Sequence, residues 1–246
     1  MSDAPLLEAR ELVKRFHGLE AVAHVSFAIN RGEILGLIGP NGAGKTTVVS
    51  LISGTLPLDG GTLSFEGTRI DHLPPYKRAR LGIGRTFQVM KPFPRLTVLE
   101  NVAVGAMFGY HGGERNMKIA REEARALLDF TGLARHAEQQ ADQIGGPDRK
   151  RLELAKALAL KPKLLLLDEV MAGPNASEID EVVAIIKKIR DSGITILVIE
   201  HVMRAIRSLS DRIIVLHHGE KLAEGEPNAI LADPRVIEAY LGKRRA

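Results

Sequence analysis

Short apolar segments bounded by turn residues recur along the chain and alternate with helix-like stretches. Three of these segments alternate apolar and polar side chains, as half-exposed antiparallel strands do: residues 6–16, 22–29 and 62–65. Four others are continuous apolar runs, which are typical of buried parallel strands: residues 34–38, 164–167, 195–199 and 212–216. The pattern predicts an α/β fold in which helices flank a mixed, mainly parallel sheet, with an antiparallel β subdomain beside it.

The middle of the chain has a different pattern. Helical periodicity covers residues 97–104 and 118–131, a glycine-rich loop at 109–113 separates the two stretches, and no strong strand appears from 89 to 145. We expect a helical subdomain, approximately residues 89–160, inserted in the α/β core of a single domain that spans residues 1–246. The last helical pattern, at 234–241, predicts a short closing helix.

The most specific motif lies between an apolar run and a helix-like stretch. It matches the phosphate-binding pattern G-x-x-x-x-G-K-[ST] and consists of Gly39, Pro40, Asn41, Gly42, Ala43, Gly44, Lys45 and Thr46, with Thr47 directly after it. The glycines let backbone amides point at phosphate oxygens, and the positive end of the following helix adds to the site. Lys45 is expected in an exposed loop, where it would reach the β- and γ-phosphates, while the Thr46 hydroxyl would hold Mg²⁺. A turn without a ligand is the alternative, which the flanking strand and helix disfavour.

A second part of the predicted site ends the apolar run at residues 164–167. Two carboxylates, Asp168 and Glu169, follow that run directly. Beside a phosphate loop, Asp168 would hold Mg²⁺ through water, and Glu169 would polarise an attacking water molecule. A buried strand with a polar end is the alternative. The phosphate loop upstream favours the catalytic interpretation and, together with the strand pattern, a P-loop NTPase core.

Two weaker candidates complete the predicted site. His201 follows the apolar run at 195–199 and could donate a hydrogen bond to a γ-phosphate. Gln88 lies where the core gives way to the helical insert and could reach Mg²⁺ or the attacking water. Taken singly, each of these residues is as compatible with a structural role.

Composition narrows the class of protein. Of 246 residues, 45% are hydrophobic and 26% are charged, which is ordinary for a soluble globular protein. There are no cysteines, which excludes disulfides and thiolate metal sites. No apolar stretch approaches the roughly 18 residues that a membrane span needs, and the N-terminus does not predict a signal peptide. The net charge of +4 is too small to indicate a nucleic-acid partner.

In this order and spacing, the motifs resemble the ATP-binding subunit of ABC transporters over nearly the whole chain. The resemblance implies that Phe16 stacks on the adenine ring, that Gln88 senses the membrane domains, and that Glu169 is the catalytic base. It also implies that His201 is the switch residue and that residues 172–175 form the loop that crosses the dimer.

Three further segments resemble the subfamily that takes up branched-chain, or hydrophobic, amino acids: residues 84–88, 96–102 and 236–242. The resemblance implies ATP and Mg²⁺ as cofactors, a second ATP-binding subunit in a homo- or heterodimer, and membrane-spanning permease subunits. An extracytoplasmic solute-binding protein would take part indirectly. The chain would then lie peripherally on the cytoplasmic face of the plasma membrane.

The signature loop of this family, normally Leu-Ser-Gly-Gly-Gln, falls on residues 144–148 and departs from the pattern. Gly145 replaces the serine hydroxyl, and Pro147 has no N–H to offer. The amides of Gly145 and Gly146, at the start of a helix, could still attract phosphate. Val170 also replaces a proline that commonly follows the catalytic glutamate.

These departures leave alternatives open. The chain could bind nucleotide with weak or no hydrolysis, or it could be a soluble ABC-type ATPase that acts outside transport. Soluble ABC-type ATPases usually carry tandem ATPase units or coiled coils, and this sequence shows neither. It also contains no Asn-Lys-x-Asp motif, which a GTPase would need.

Overall fold

Two sheets of different type organise the fold, which a computed structural model describes for residues 4–87, 92–110, 113–171 and 176–241. The strands are β1 (Leu7–Phe16), β2 (Leu19–Ile29), β3 (Ile34–Ile38), β4 (Gly60–Phe65), β5 (Thr68–Arg69), β6 (Ile83–Arg85), β7 (Leu164–Asp168), β8 (Thr195–Ile199), β9 (Arg212–His217) and β10 (Glu220–Gly225). The helices are α1 (Lys45–Ser53), α2 (Pro75–Leu81), α3 (Val98–Met107), α4 (Met117–Phe130), α5 (Gly146–Ala159), α6 (Ala176–Asp191), α7 (Met203–Leu209), α8 (Pro227–Ala232) and α9 (Pro234–Leu241).

The first sheet is antiparallel, with strand order β2-β1-β4-β5. Alternate side chains of β1, such as Leu7 and Ala9, are buried, and their neighbours in sequence are more exposed. The antiparallel subdomain predicted from this alternation is therefore confirmed. The second strand begins at Leu19 rather than at residue 22, because Leu19 already pairs with Phe16 of β1 and Glu20 pairs with Arg15.

The second sheet has the order β10-β9-β3-β8-β7-β6 and is parallel except for β10, which runs antiparallel to β9. Every residue of β3, β7 and β8 is buried, as the continuous apolar runs predicted. In the register of these strands Leu37 pairs with Ile199, and Ile199 pairs with Asp168. The carboxyl ends of β3, β8 and β7 therefore lie side by side at one edge of the sheet.

Helices cover both faces of this parallel sheet. Helix α1 packs between the two sheets, where Val48 and Leu51 contact the same apolar cluster as Leu37. On the opposite face, α6 and α7 pack against the alternate residues of the strands, for example Ile186 against the cluster that contains Ile38. The α/β fold class is therefore confirmed. It corresponds to a P-loop NTPase core.

The third cluster of buried residues belongs to the helices inserted between β6 and β7. Helices α3, α4 and α5 pack on one another around Val102, Leu128 and Leu152, with a short 3₁₀ helix at Ala134–His136. Helix α3 begins with a capping box in which the Thr97 hydroxyl accepts from the Glu100 amide and the Glu100 carboxylate accepts from the Thr97 amide. These helices lie within the range 89–160 expected for the insert.

Candidate nucleotide site

An open cleft of about 720 Å³ lies at the carboxyl ends of the parallel strands. In open α/β sheets this edge is where ligands bind. The cleft is lined by Phe16, Ala21, Asn41, Gly42, Ala43, Gly44, Lys45, Thr46, Thr47, Glu169 and His201. The fold thus brings the phosphate-loop motif, one carboxylate and the histidine, which are far apart in sequence, to a single cleft.

Two glycines of the loop permit its close packing on neighbouring backbone. Gly39 has φ +149°, and a Cβ at this position would lie 2.1 Å from the carbonyl oxygen of Leu216. Gly44 has φ +101°, and a Cβ there would lie 2.4 Å from the carbonyl oxygen of Ala21. Gly44 is also the N-cap of α1 and supplies no capping side chain, so the first amides of α1 face the cleft without a side-chain acceptor.

Lys45 is only 6% exposed, so the prediction that it lies in an exposed loop was wrong. Its Nζ atom donates to the carbonyl oxygens of Gly39 (2.7 Å) and Pro40 (2.9 Å), which folds the side chain back beneath its own loop. Burial lowers the pKa of this ammonium, while the negative charges of Glu169 and Asp168 oppose that shift. The Lys45 side chain is therefore held in place by carbonyl groups of the phosphate loop.

Asp168 ends β7 and lies beneath the cleft, 2% exposed. Its Oδ2 atom accepts from Arg85 Nη2 at 3.1 Å, whereas Oδ1 is buried and has no hydrogen-bond partner among the described residues. Burial raises the pKa of this carboxyl group, and the charge and hydrogen bond of Arg85 counteract the rise. One carboxylate oxygen is thus fixed by a cation, and the other remains available to a ligand.

Sequence reasoning missed Arg85, which fixes Asp168. This arginine ends β6, and its Nη1 atom donates to the hydroxyls of Ser50 (3.1 Å), Ser53 (3.1 Å) and Thr55 (3.2 Å) near the end of α1. Its guanidinium also lies 5.2 Å from the ring centroid of Phe87. The only signal in the sequence was a charged residue at the end of a short apolar segment, which by itself specifies no partner.

Glu169 and His201 form a close pair at the cleft. The Glu169 Oε1 and His201 Nε2 atoms are 2.7 Å apart. Glu169 has φ +54°, a left-handed conformation that is uncommon for residues other than glycine. This turn is held by its own amide, which donates to the carbonyl oxygen of Ile199 at 3.0 Å. Strain of this kind clusters at functional sites, and here it lies where the side chain meets the cleft.

A second buried acid beside this pair was also missed. Glu200 is 1% exposed, and its Oε1 atom accepts from the backbone amide of Met171 at 2.6 Å. Burial raises the pKa of Glu200 to about 7, although the hydrogen bonds from the amides of Met171 and His201 and the charge of Lys150 favour the ionised form. An acidic residue just before a candidate histidine was visible in the sequence, but its burial was not.

The remaining predicted residues occupy different places. Phe16 ends β1 at the lip of the cleft, where its ring is partly exposed and lies 5.6 Å from Lys14 Nζ. Gly145 and Gly146 are the N-cap and first residue of α5, and neither lines the cleft of this single chain. Gln88 and residues 172–175 lie outside the described residues.

Comparison with known proteins agrees with this geometry. The family model of the ABC transporter matches residues 22–172, which is more than half of the chain. The chain therefore belongs to the ABC transporter family, as one of its ATP-binding ATPase subunits. A second model, the branched-chain amino acid ATP-binding cassette transporter, matches residues 220–246 and specifies the subfamily.

Proteins similar in sequence to this chain are named as transport ATP-binding proteins. The chain is 39% identical over 251 residues to the high-affinity branched-chain amino acid transport ATP-binding protein LivG of Salmonella typhimurium, covering 97% of this chain and 98% of that protein. It is 37% identical to the corresponding protein BraF of Pseudomonas aeruginosa, with the same coverage. The ADP conformation of an ATP-binding cassette from an ABC transporter superposes with a TM-score of 0.87 at 30% identity, covering 98% of this chain and all of that one. These relatives support the transport hypothesis over the alternatives outside transport.

Proposed function

We propose that this chain binds Mg-ATP in the described cleft and hydrolyses it to drive an importer of branched-chain or other hydrophobic amino acids. The observation that carries the proposal is the convergence of the phosphate loop, Glu169 and His201 on one cleft. In the proposed complex the amides of residues 41–47 surround the phosphates and Lys45 neutralises their charge. Phe16, whose ring is partly exposed at the lip of the cleft, would stack on the adenine.

A magnesium ion fits the residues that lie behind the phosphate loop. Mg²⁺ is usually held by one or two protein oxygens together with substrate phosphates, rather than by a complete protein cage. Thr46 supplies a hydroxyl at the cleft, and Asp168 supplies a buried oxygen without a protein partner. We assign these two residues, with Gln88, to the metal. When bound, Mg²⁺ would neutralise charge on the transferred phosphoryl group.

The Glu169–His201 pair supports a role in activating water. The proposed base, Glu169, has its carboxylate at the cleft and 2.7 Å from the histidine ring. A hydrogen bond from His201 Nε2 would fix the orientation of the carboxylate, while the second carboxylate oxygen accepts the proton of the attacking water. His201 also lines the cleft, so it would contact the γ-phosphate and link it to Glu169 through their hydrogen bond.

The proposed assembly contains two ATP-binding subunits. In a head-to-tail pair, the N-terminus of α5 would face the γ-phosphate bound by the partner, which agrees with the position of Gly145 and Gly146 away from their own cleft. Pro147 lies in the first turn of α5, where a missing N–H does not interrupt the helix. Closure of the pair would therefore depend on backbone amides, without the usual serine hydroxyl.

The proposed docking surface for the membrane-spanning subunit is a groove of about 250 Å³ between β6, α3 and α5. Three phenylalanines on this groove are 44%, 49% and 61% exposed, namely Phe87, Phe93 and Phe108. Large exposed aromatic side chains around a groove are typical of protein interaction sites. Because Arg85 contacts both Phe87 and Asp168, a partner seated in the groove would be linked to the metal site through one side chain.

Transport by this chain requires a membrane partner. Within the described part of the chain, no helix has the length and apolar character needed to cross a bilayer. Because the chain belongs to the ABC transporter family, we place it peripherally at the cytoplasmic face of the plasma membrane, bound to permease subunits that carry the solute. An extracytoplasmic solute-binding protein would deliver the amino acid to those subunits without contacting this chain, and no step requires nucleic acid.

Reconstitution tests the proposal. The chain, its membrane-spanning subunits and their solute-binding protein would be assembled in vesicles, and uptake of labelled leucine measured with and without ATP. We expect ATP-dependent uptake that the matched variant Glu169→Gln abolishes, with a charged amino acid such as lysine as the control solute. Equal uptake by the variant would contradict the assigned base, and preferential uptake of the control solute would contradict the solute class.

A further inference from the structure

The C-terminal helix reaches the first residue of the phosphate loop. The backbone amide of Gly39 donates to the hydroxyl oxygen of Tyr240 on α9 at 2.7 Å, across 201 positions in sequence. Val236, one turn earlier, is 3% exposed and belongs to the apolar cluster on the outer face of the parallel sheet, so α9 is anchored independently of this bond. The position of Tyr240 is therefore fixed by the packing of its own helix.

The same glycine also contacts Lys45, the lysine of the phosphate-binding motif. The carbonyl oxygen of Gly39 accepts from Lys45 Nζ at 2.7 Å. Gly39 thus receives one hydrogen bond at its carbonyl and donates one from its amide, which fixes the rotation of the backbone at this position. A side chain cannot replace either contact, because Gly39 lies against the carbonyl oxygen of Leu216 with no room for a Cβ.

The neighbouring hairpin adds a second contact between the C-terminal region and the loop. The amide of Gly219, in the turn between β9 and β10, donates to the carbonyl oxygen of Ala43 at 3.2 Å. The carbonyl oxygen of Gly219 accepts from the amide of Ala23 at 2.8 Å, which holds that turn against β2. The phosphate loop is therefore supported at its first residue and at its middle by the part of the chain that follows β9.

We propose that Tyr240 is a positioning residue for nucleotide binding, which acts through Gly39 to hold Lys45 in its phosphate-binding place. This inference rests on the proposed function of the cleft and adds a role for the C-terminal helix. Without the hydroxyl, the Gly39 amide loses its acceptor and the start of the loop gains alternative conformations. The apparent affinity for nucleotide then falls by the fraction of molecules that are no longer competent.

Tyr240→Phe is the matched test, because it deletes only the hydroxyl that accepts from Gly39 and keeps the aromatic ring. Tyr76→Phe is the control, since Tyr76 is 59% exposed and lies on α2. Isothermal titration with Mg-ADP would give the Kd of both variants and of the wild type. The loss of this one part-buried hydrogen bond predicts a Kd about five- to tenfold higher for Tyr240→Phe alone. The KM for ATP should rise by the same factor, with kcat nearly unchanged.

Hydrogen exchange supplies a second, reciprocal readout. If docking of α9 favours nucleotide binding, nucleotide must stabilise docking of α9 to the same extent. Mg-ADP should therefore slow amide exchange in α9 of the wild type, and it should do so less in Tyr240→Phe. A variant that melts at a lower temperature but keeps the wild-type Kd and the wild-type exchange response would have lost only stability, and this result would overturn the inference.

The outcomes separate this inference from the function on which it rests. A wild-type protein that binds Mg-ADP, together with a Tyr240→Phe protein that binds it equally well, overturns the role of Tyr240 and leaves the proposed function intact. A wild-type protein that does not bind Mg-ADP overturns both. A higher Kd in Tyr240→Phe with no change in Tyr76→Phe supports the inference.

Discussion

Glu200 allows a quantitative prediction, because the fold buries a carboxyl group that remains titratable. Glu200→Gln replaces this group by an uncharged amide whose oxygen can still accept from the Met171 amide. In the folded protein the pKa of Glu200 rises from 4.5 to about 7 because of burial. A pKa difference of this size between the unfolded and the folded state means that folding favours the protonated over the ionised carboxyl group by roughly 3 kcal/mol.

The direction of the effect follows from proton linkage. Between pH 4.5 and about 7 the folded state binds a proton at Glu200 that the unfolded state has released, so the free energy of unfolding falls as the pH rises. The favourable contribution is complete below the unfolded pKa and is lost above the folded one. Glu200→Gln has no such loss, and its stability relative to the wild type should therefore increase across this window by roughly 3 kcal/mol.

Urea unfolding at about pH 5 and about pH 8.5 gives the free energy of unfolding of both proteins at each pH, and hence the change in their stability difference. The charged groups that act on Glu200 are Lys150 on α5 and Glu169 after β7, with His201 adjacent in sequence, and all of them are present in both proteins. Glu138→Gln is the control, because its side chain is 76% exposed and should give no pH-dependent difference. Parallel stability profiles for the wild type and Glu200→Gln would refute the reasoning, since they would mean that Glu200 titrates as it does in the unfolded chain.

Three further experiments test the cleft and the dimer. Lys45→Ala should abolish thermal stabilisation by Mg-ATP without unfolding the protein; a wild-type shift would contradict the phosphate-loop assignment. Glu169→Gln should bind ATP, release no phosphate and accumulate as an ATP-bound dimer in sedimentation, whereas undiminished phosphate release would exclude Glu169 as the base. In that background, Gly145→Ser with Pro147→Gly should tighten dimerisation by about tenfold or more in ATP but not in ADP, because hydrogen bonds to charged groups contribute about 1.5–3 kcal/mol each. Equal dimerisation would show that the native loop already binds phosphate fully.

Much of the fold could be predicted from the sequence because its central elements carry strong local patterns. Strands such as β3 and β7 are buried on both faces, so their apolar runs are continuous and easily recognised. The elements that were missed lack such a pattern. The short strand β5 consists of two exposed polar residues, and β6 is only three residues long, so both are defined by their partners rather than by their composition.

The site was predicted as far as its residues follow strand ends. The motif, Asp168, Glu169 and His201 all lie directly after apolar runs, and the parallel register brings those ends together. Tertiary contacts decide the rest. Arg85 reaches Asp168 across 83 positions, and the Lys45 side chain is buried by carbonyl groups of its own loop rather than exposed to solvent. Local sequence contains no signal for either arrangement.

The altered signature and the intact cleft affect different steps of the proposed cycle. The groups assigned to the cleft lie on one chain, and none of them is altered by the departures from the family pattern at Gly145 and Pro147. Those departures from the family pattern remove hydrogen-bond donors only from the face of the chain that would meet the second ATP-binding subunit. The start of α5 nevertheless keeps its helical geometry, and the Asp148 carboxylate in its first turn lies 3.2 Å from His136 Nε2. We therefore expect nucleotide affinity to be set mainly within one chain, and the rate of hydrolysis to depend on how firmly two chains close.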